Sequence, residues 1–134
     1  MTRLMPVFLL LIAMVVGAAG CTRAPSDLPE LAPVSGTVTL DGAPVTNASV
    51  IFESANGTVT FGNTDASGKY ELTYRDGYQG AEVGENTVKI ETVLDNPPGA
   101  GYKDPIPAKY NRATELKVDV QKGQETHDFE LKSR

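Results

Sequence analysis

From residue 34 onward, apolar and polar side chains alternate in short runs that end at turn residues, and this pattern constrains the fold most. In 34–40, apolar or small residues take every second position, a period of two that is typical of a half-buried strand. An Asp-Gly pair at 41–42 and an Asn-Gly pair at 56–57 follow successive runs and favour tight hairpin turns. Because no helical periodicity lies between the runs, the sequence predicts an all-β domain over 34–134.

Seven strands are predicted at short, even intervals, an arrangement that is typical of a sandwich or a barrel. The predicted strands lie at or around 34–40, 48–52, 58–64, 70–74, 87–92, 114–120 and 126–131. In the third of these, Val59 and Phe61 are expected to point into the core. Two longer connections, 75–86 and 94–113, are predicted as loops, and loops as long as the second are usually functional or mobile.

Residues 1–20 have the three parts of a secretory signal peptide: a basic start at Arg3, an apolar segment at 7–16 and small residues before a cleavage point. The apolar segment has about half of the ~20 residues that a membrane-spanning helix needs, so it is predicted to be a removable signal. The next residue, Cys21, is the only cysteine. A lone cysteine in an exported chain cannot form an internal disulfide and needs another explanation.

The stretch Ala18-Ala19-Gly20-Cys21 resembles the bacterial lipoprotein box, with alanine at 18 where leucine is more frequent. The resemblance implies cleavage between Gly20 and Cys21, and a Cys21 that carries lipid at the mature N-terminus. Two or more acyl chains give a stable anchor, since each buried methylene contributes about 0.8 kcal/mol. Thr22 stands where an aspartate would signal retention in the inner membrane, so the outer membrane is favoured.

The segment 21–33 contains three prolines and no periodic apolar pattern. Proline-spaced chains stay extended at about 3.1 Å per residue. The segment is therefore predicted to be a tether that holds the domain roughly 30 Å from the bilayer. The alternative is a strip that lies along the surface of the domain.

The chain is acidic, with 12 basic and 17 acidic residues and a formal net charge of −5. Removal of residues 1–20 takes away one arginine and leaves a net charge of −6. Nucleic-acid affinity comes from lysine and arginine side chains that neutralise phosphates, so a nucleic-acid partner is not expected. Docking on anionic lipid through a basic patch is disfavoured for the same reason. Membrane association is therefore expected through the lipid anchor.

Three stretches together resemble the carboxypeptidase regulatory-like domain: VSGTVTLDGAPV at 34–45, ASVIF at 48–52 and TDASGKY at 64–70. The stretch IPAKYN at 106–111 is similar to one in small lipoproteins of planctomycete-type bacteria that carry this module. The resemblance covers nearly all of 34–131 and implies a transthyretin-like fold, a seven-stranded antiparallel Greek-key β-sandwich. It also implies an accessory or binding module, although the fold alone does not fix function.

The motifs predict structural roles more than chemical ones. A partial match to a calcium loop lies at 63–68, but the glutamate that would close such a loop falls at Tyr74. A plain turn capped by Asp65 is therefore favoured, and no metal site is predicted. Gly36 is expected to allow another backbone segment to approach closely, and Tyr70 is expected to be an aromatic core residue.

No catalytic residue and no cofactor are predicted. His127 is the only histidine, whereas transition-metal sites need several ligands, and the chain has no Gly-x-Ser-x-Gly elbow. A packed or half-exposed His127 is favoured. Enzymes of the transthyretin-like family have several histidines and a Tyr-Arg-Gly-Ser tail, whereas residues 131–134 read LKSR. Glu82 and Glu85 lie in a glycine-rich stretch without the apolar context that raises a carboxyl pKa.

Three loop residues, Tyr78, Tyr102 and Lys109, are the candidate ligand contacts. Aromatic side chains with a polar end often contact sugars and proteins from loops, and a packing role is an equal alternative for the two tyrosines. Tyr110 is expected instead to tie down a loop through its hydroxyl, as in a tyrosine corner.

The sequence thus predicts a membrane-anchored, non-enzymatic β-sandwich that faces the periplasm or the cell exterior. Its expected role is to bind an envelope protein or glycan, or to support envelope structure. One alternative is a carbohydrate-binding module. The other is a transthyretin-like hydrolase, which would need His127 beside an acid in a pocket.

Overall fold

A computed structural model describes Gly20 and residues 27–134. Residues 1–19 of the predicted signal and Cys21 lie outside the described residues, so the signal and the lipid anchor stay predictions. The described part contains short strands and 3₁₀ turns, which confirms the all-β prediction. The strands are β1 (Leu31–Ala32), β2 (Val34–Leu40), β3 (Ala43–Pro44), β4 (Ala48–Ser54), β5 (Val59–Asn63), β6 (Lys69–Glu71), β7 (Ala81–Glu82), β8 (Gly84–Thr92), β9 (Lys117–Val120), β10 (Glu125–Thr126) and β11 (Phe129–Leu131), and the 3₁₀ turns are Arg75–Gly77 and Ala108–Tyr110.

Two sheets make up the body of the domain. One contains β5, β4, β8 and β9 in that order, and all neighbours in it are antiparallel. The other is centred on β2, which pairs antiparallel with β3 and β6 and parallel with β10 and β11. A wholly antiparallel sandwich is therefore the wrong prediction for this second sheet. Strands must alternate in direction only when a hairpin joins them, and no hairpin joins β10 or β11 to β2.

The apolar faces of the two sheets pack against each other and form the core. The buried side chains include Ala48, Val50, Phe52, Val88, Ile90 and Val120 from the first sheet and Val34, Val38, Tyr70, Phe129 and Leu131 from the second. Phe52 meets Phe129 edge-on across the interface, with ring centroids 6.2 Å apart. The domain is thus β-sandwich-like, and the inward rows predicted for β2 and β4 are confirmed.

Strand β5 faces the opposite way from the sequence prediction. Val59 is 49% exposed and Phe61 is 54% exposed, so both point outward. Thr60 lies opposite the buried Phe52, and directly opposite residues share a face of the sheet. The inward position of Gly62 carries no side chain because a β-carbon there would overlap the carbonyl oxygen of Glu71. The apolar alternation in β5 is real, but it marks the outer face.

Close backbone approach at Gly36 interrupts the last strand. The predicted strand 126–131 divides into β10 and β11, and a β-carbon at Gly36 would overlap the carbonyl oxygen of His127 between them. This confirms the close approach predicted for Gly36. The buried Tyr70 hydroxyl donates to the same carbonyl over 2.6 Å. Burial, followed by the charge of Asp128, raises the pKa of Tyr70 above its ordinary value, so the hydroxyl keeps its proton.

Residues 27–33 lie against the domain, so the tether predicted over 21–33 is too long. β1 pairs with β7, and Pro33 accepts a hydrogen bond from the Glu125 N–H over 2.9 Å. An ion pair of 2.9 Å joins Glu30 to Lys122. The extended, proline-containing segment offers unpaired backbone groups to the edge of a sheet, and pairing them there satisfies both segments. The strip alternative is correct from residue 27 onward.

Candidate functional site

The domain has two ends that carry different loops. We call the end that contains Asp27 the exit pole and the opposite end the loop pole. The loop pole carries the long connection 93–113. The exit pole contains the turn 55–58, the hairpin tip 74–78, the turn 121–124 and the entry of the continuous described chain at Asp27. β8 joins the two ends: Gly84 pairs with Val120 at the exit pole, and Thr92 leads into the long connection. A nine-residue strand spans about 30 Å, which separates the two poles.

The long loop has a fixed base and an exposed tip. The Asp104 carboxylate accepts a hydrogen bond from Thr92 Oγ1 over 2.6 Å and another from the Ile106 N–H over 2.9 Å. Ile106 is buried in the core, whereas every residue of 93–105 is exposed. The loop therefore presents its tip to solvent from a base that is fixed to the sandwich.

The three candidate contact residues do not form one site. Tyr102 is 42% exposed and lines an open hollow of about 520 Å³ with Arg112. Lys109 lies in a separate hollow beside Tyr110, with its Nζ 5.1 Å from the ring centroid. Tyr78 is half-buried in the hairpin tip of the exit pole. Tyr102 and Lys109 are thus neighbouring features of the long loop, and Tyr78 belongs to the other end.

Tyr110 holds the base of the long loop, as the tyrosine-corner prediction expects. Its hydroxyl accepts a hydrogen bond from the Lys132 N–H over 2.9 Å. The partner lies 22 residues further along the chain, just after β11, so the bond joins the loop to the final strand. Tyr110 is therefore a packing residue, and its hydroxyl is already occupied.

A buried carboxylate network, absent from the sequence prediction, lies at the exit pole. Glu82 of β7 accepts hydrogen bonds from Ser54 Oγ over 2.6 Å and from Asn56 Nδ2 over 2.7 Å. Burial pushes the pKa of Glu82 upward, but hydrogen bonds from these side chains and Thr58 outweigh it and leave the pKa below its ordinary value. The ionised Glu82 thus links β7 by hydrogen bonds to the end of β4 and the turn that follows it. The sequence suggests instead a carboxylate in an open loop, which is wrong for Glu82.

Replacement of Glu82 by glutamine is expected to lower the free energy of unfolding at neutral pH by about 1–3 kcal/mol, because the buried Ser54 and the partly buried amide of Asn56 lose a charged acceptor. A lowered native pKa stabilises the fold above the ordinary glutamate pKa of about 4.3. That stabilisation is lost as the pH falls through the native pKa. Denaturant unfolding of wild type and Glu82→Gln should therefore differ at neutral pH and converge in acid.

Glu85→Gln is the matched control for this prediction. Glu85 pairs with Lys117 over 3.1 Å, and both side chains are 60% exposed, so the control should lose less than about 1 kcal/mol. An equal loss for Glu82→Gln in acid and at neutral pH would contradict the role of the ionised carboxylate.

His127 lies beside a carboxylate, which is one of the two conditions of the hydrolase alternative. Its Nε2 is 2.6 Å from Glu125 Oε2, and the side chains of the pair are 26% and 18% exposed. The ring also packs near Phe52, with centroids 6.4 Å apart. His127 is therefore the half-exposed, packed histidine that the sequence favours. In the described residues its ring is hydrogen-bonded to Glu125, and a hydrolase would also need a nucleophile there.

The turn at 63–68 is capped by Asp65, as predicted. Asp65 Oδ1 accepts hydrogen bonds from the N–H groups of Ser67 over 2.8 Å and Lys69 over 3.0 Å. The bond from Lys69, followed by that from Ser67, holds the pKa of Asp65 below its ordinary value. Within Gly20 and 27–134, no three histidine, cysteine, aspartate or glutamate side chains are grouped so as to hold a metal ion.

Comparison with protein-family models, with curated proteins and with solved structures finds no match for this chain. No helix in the part of the chain that the structure describes has the length and apolar character to cross a membrane. The resemblances to a lipoprotein box and to a carboxypeptidase regulatory-like domain therefore stay predictions, and the functional argument depends on the residues of this chain.

Proposed function

We propose that this chain is an exported lipoprotein whose β-sandwich acts as a non-catalytic binding or structural module of the cell envelope. Lipid on Cys21 holds the mature protein on a membrane, with the outer membrane favoured by Thr22. The observation that carries the proposal is the separation of the poles. The chain enters the domain beside Arg75 of the exit pole, where Asp27 pairs with it over 2.7 Å, so the exposed long loop lies at the end away from the anchor.

The proposed fold within this class is a seven-stranded Greek-key sandwich of the transthyretin-like type. The strand inventory supports it when β10 and β11 are taken as one interrupted strand and the two-residue strands β1, β3 and β7 are left out. That leaves β2, β4, β5, β6, β8, β9 and β10–β11. The close approach at Gly36, the capped turn at Asp65 and the buried Tyr70 fit the motifs that carry the resemblance.

The loop pole supports a binding role, and the buried carboxylate of Glu82 does not support a catalytic one. The buried carboxylate of Glu82 has a lowered pKa, whereas a general acid needs a raised one. The tip of the long loop presents an exposed Tyr102 and borders an open hollow, and tyrosine offers contact area at low entropic cost. The occupant proposed for this surface is an envelope protein.

Replacement of 95–103 by a glycine-serine segment of equal length tests the loop pole. These residues are exposed, so the free energy of unfolding should change by less than about 1 kcal/mol. A photo-cross-linking side chain at Arg112, which lines the hollow, should form a discrete protein adduct in intact cells with the native loop and none with the replaced loop.

The control places the same cross-linker at Glu71, which is exposed on β6 and lies towards the hairpin tip of the exit pole, and should give no such adduct. An adduct that survives the loop replacement, or no adduct at Arg112, would contradict a binding role for this loop. A glycan adduct at Arg112 would favour the carbohydrate-binding alternative.

A further inference from the structure

The exit pole lies within a short reach of the proposed lipid. The described chain enters the domain at Asp27, six residues after Cys21. An extended chain spans at most about 3.3–3.6 Å per residue, so Asp27 lies no more than roughly 20 Å from Cys21. The docking of 27–33 removes the longer tether that the sequence suggests. The domain is therefore held close to the membrane and by one end.

An exposed apolar patch adjoins this end. The β5 patch consists of Ile51, Val59 and Phe61, which lie on the outer face of neighbouring strands, with Ile51 directly opposite Phe61. Val59 is 49% exposed and Phe61 is 54% exposed. On its other side, Phe61 pairs with Thr73, which leads into the hairpin tip 74–78. The patch is thus continuous with the exit pole.

The hairpin tip next to the patch has the residue types of a membrane interface. Tyr74 and Tyr78 are both half-buried, and the Arg75 guanidinium lies 5.3 Å from the centroid of the Tyr74 ring. Tyrosine is enriched where one end of a side chain is in apolar surroundings and the other is in water. The tip can therefore contact the headgroup region while the β5 patch contacts the acyl boundary.

The charges of the exit pole argue against electrostatic attraction to anionic lipid as the main force that holds this end on a bilayer. Arg75 is paired with Asp27, and Lys122 is paired with Glu30, so both cations are neutralised locally. The net charge of −6 without residues 1–20 repels an anionic surface. Attraction to a bilayer must therefore come from the apolar and aromatic side chains.

We propose that the β5 patch and the hairpin tip 74–78 rest on the surface of the phospholipid bilayer that holds the lipid anchor. This inference depends on the proposed function, because the anchor supplies the proximity. A short linker gives a high effective concentration, so a surface too weak to bind a membrane by itself can stay in contact with it. The contact sets the orientation of the domain, with the long loop at the far end of β8 from the hairpin tip.

A single introduced thiol tests the contact, because Cys21 is the only native cysteine and its sulfur carries lipid in the mature protein. The full lipidated protein with Val59→Cys or Ala100→Cys is labelled with a fluorophore and placed in phosphatidylcholine vesicles that contain a nitroxide-labelled lipid. Ala100 lies in the exposed tip of the long loop and is the matched control. We expect quenching at position 59 to exceed quenching at position 100 several-fold and to persist at high salt.

Phe61→Ser should reduce quenching at position 59, while Phe61→Leu should preserve it, with vesicle flotation unchanged in both variants because the anchor is intact. Equal, weak quenching at the two positions on protein of confirmed lipidated mass would overturn the inference and leave the proposed function standing. A fluorophore attached at Cys21 would show that its thiol is free of lipid. Together with a loss of flotation, this result would instead contradict the proposed function. Self-quenching between labels at position 59 without lipid quenching would assign the patch to a second copy and overturn the inference.

Discussion

Substitution of Gly36 by alanine is expected to destabilise the domain by about 3 kcal/mol, the upper part of the range for overpacked cores. The new β-carbon would overlap the carbonyl oxygen of His127 and lie 3.0 Å from Cε1 of the Tyr70 ring. Backbone cannot yield there without moving β2 away from β10 and β11. The displacement would also break the 2.6 Å hydrogen bond from Tyr70 to the same carbonyl.

Gly99→Ala is the matched control for the Gly36 substitution. A β-carbon added at Gly99 would have no atom within 4 Å, and the φ of Gly99 lies outside the left-handed region. Its substitution should change the free energy of unfolding by less than about 0.5 kcal/mol. Denaturant unfolding of both variants measures the difference, and a Gly36→Ala variant as stable as Gly99→Ala would contradict the close contact between β2 and the last strand.

Substitution of Cys21 by alanine is expected to move the protein from the membrane fraction to the soluble fraction almost completely. Without the thiol there is no atom to carry the thioether-linked lipid, and the β5 patch alone lacks the multiple acyl chains that stable anchoring needs. Flotation of cell membranes followed by immunoblotting measures the distribution.

Thr22→Asp is the matched control, because it retains Cys21 and alters the neighbouring residue. It should keep the protein membrane-bound and transfer it from the outer to the inner membrane. A Cys21→Ala protein that still floats with membranes would contradict anchoring through this residue.

The sequence predicted both the position and the inward face of the strands in which the apolar row is the buried row. It gave the wrong inward face where contacts with a neighbouring strand decide which row is buried. In β2 and β4 the apolar row is the buried row. In β5 the apolar row is outside, because register with Phe52 turns Thr60 inward and the backbone of Glu71 fills the space at Gly62. Neither contact is local, so periodicity alone identified the strand but not its inward face.

The exit pole could not be predicted for the same reason. The burial of Glu82 depends on Ser54 and Asn56, which precede it by 28 and 26 residues. The docking of 27–33 depends on β7 and Glu125. By contrast, the turn at Asp65 and the close approach at Gly36 were predictable, because in both cases the residue type at that position is itself the signal.

The mass of the mature N-terminal peptide tests the central claim most directly. Purified from cell membranes and digested, the protein should yield a peptide that begins at Cys21, with added mass equal to a diacylglycerol and an amide-linked acyl chain on that residue. A mature chain that begins elsewhere, or one whose Cys21 has a free thiol, would contradict the membrane anchor and the orientation that follows from it.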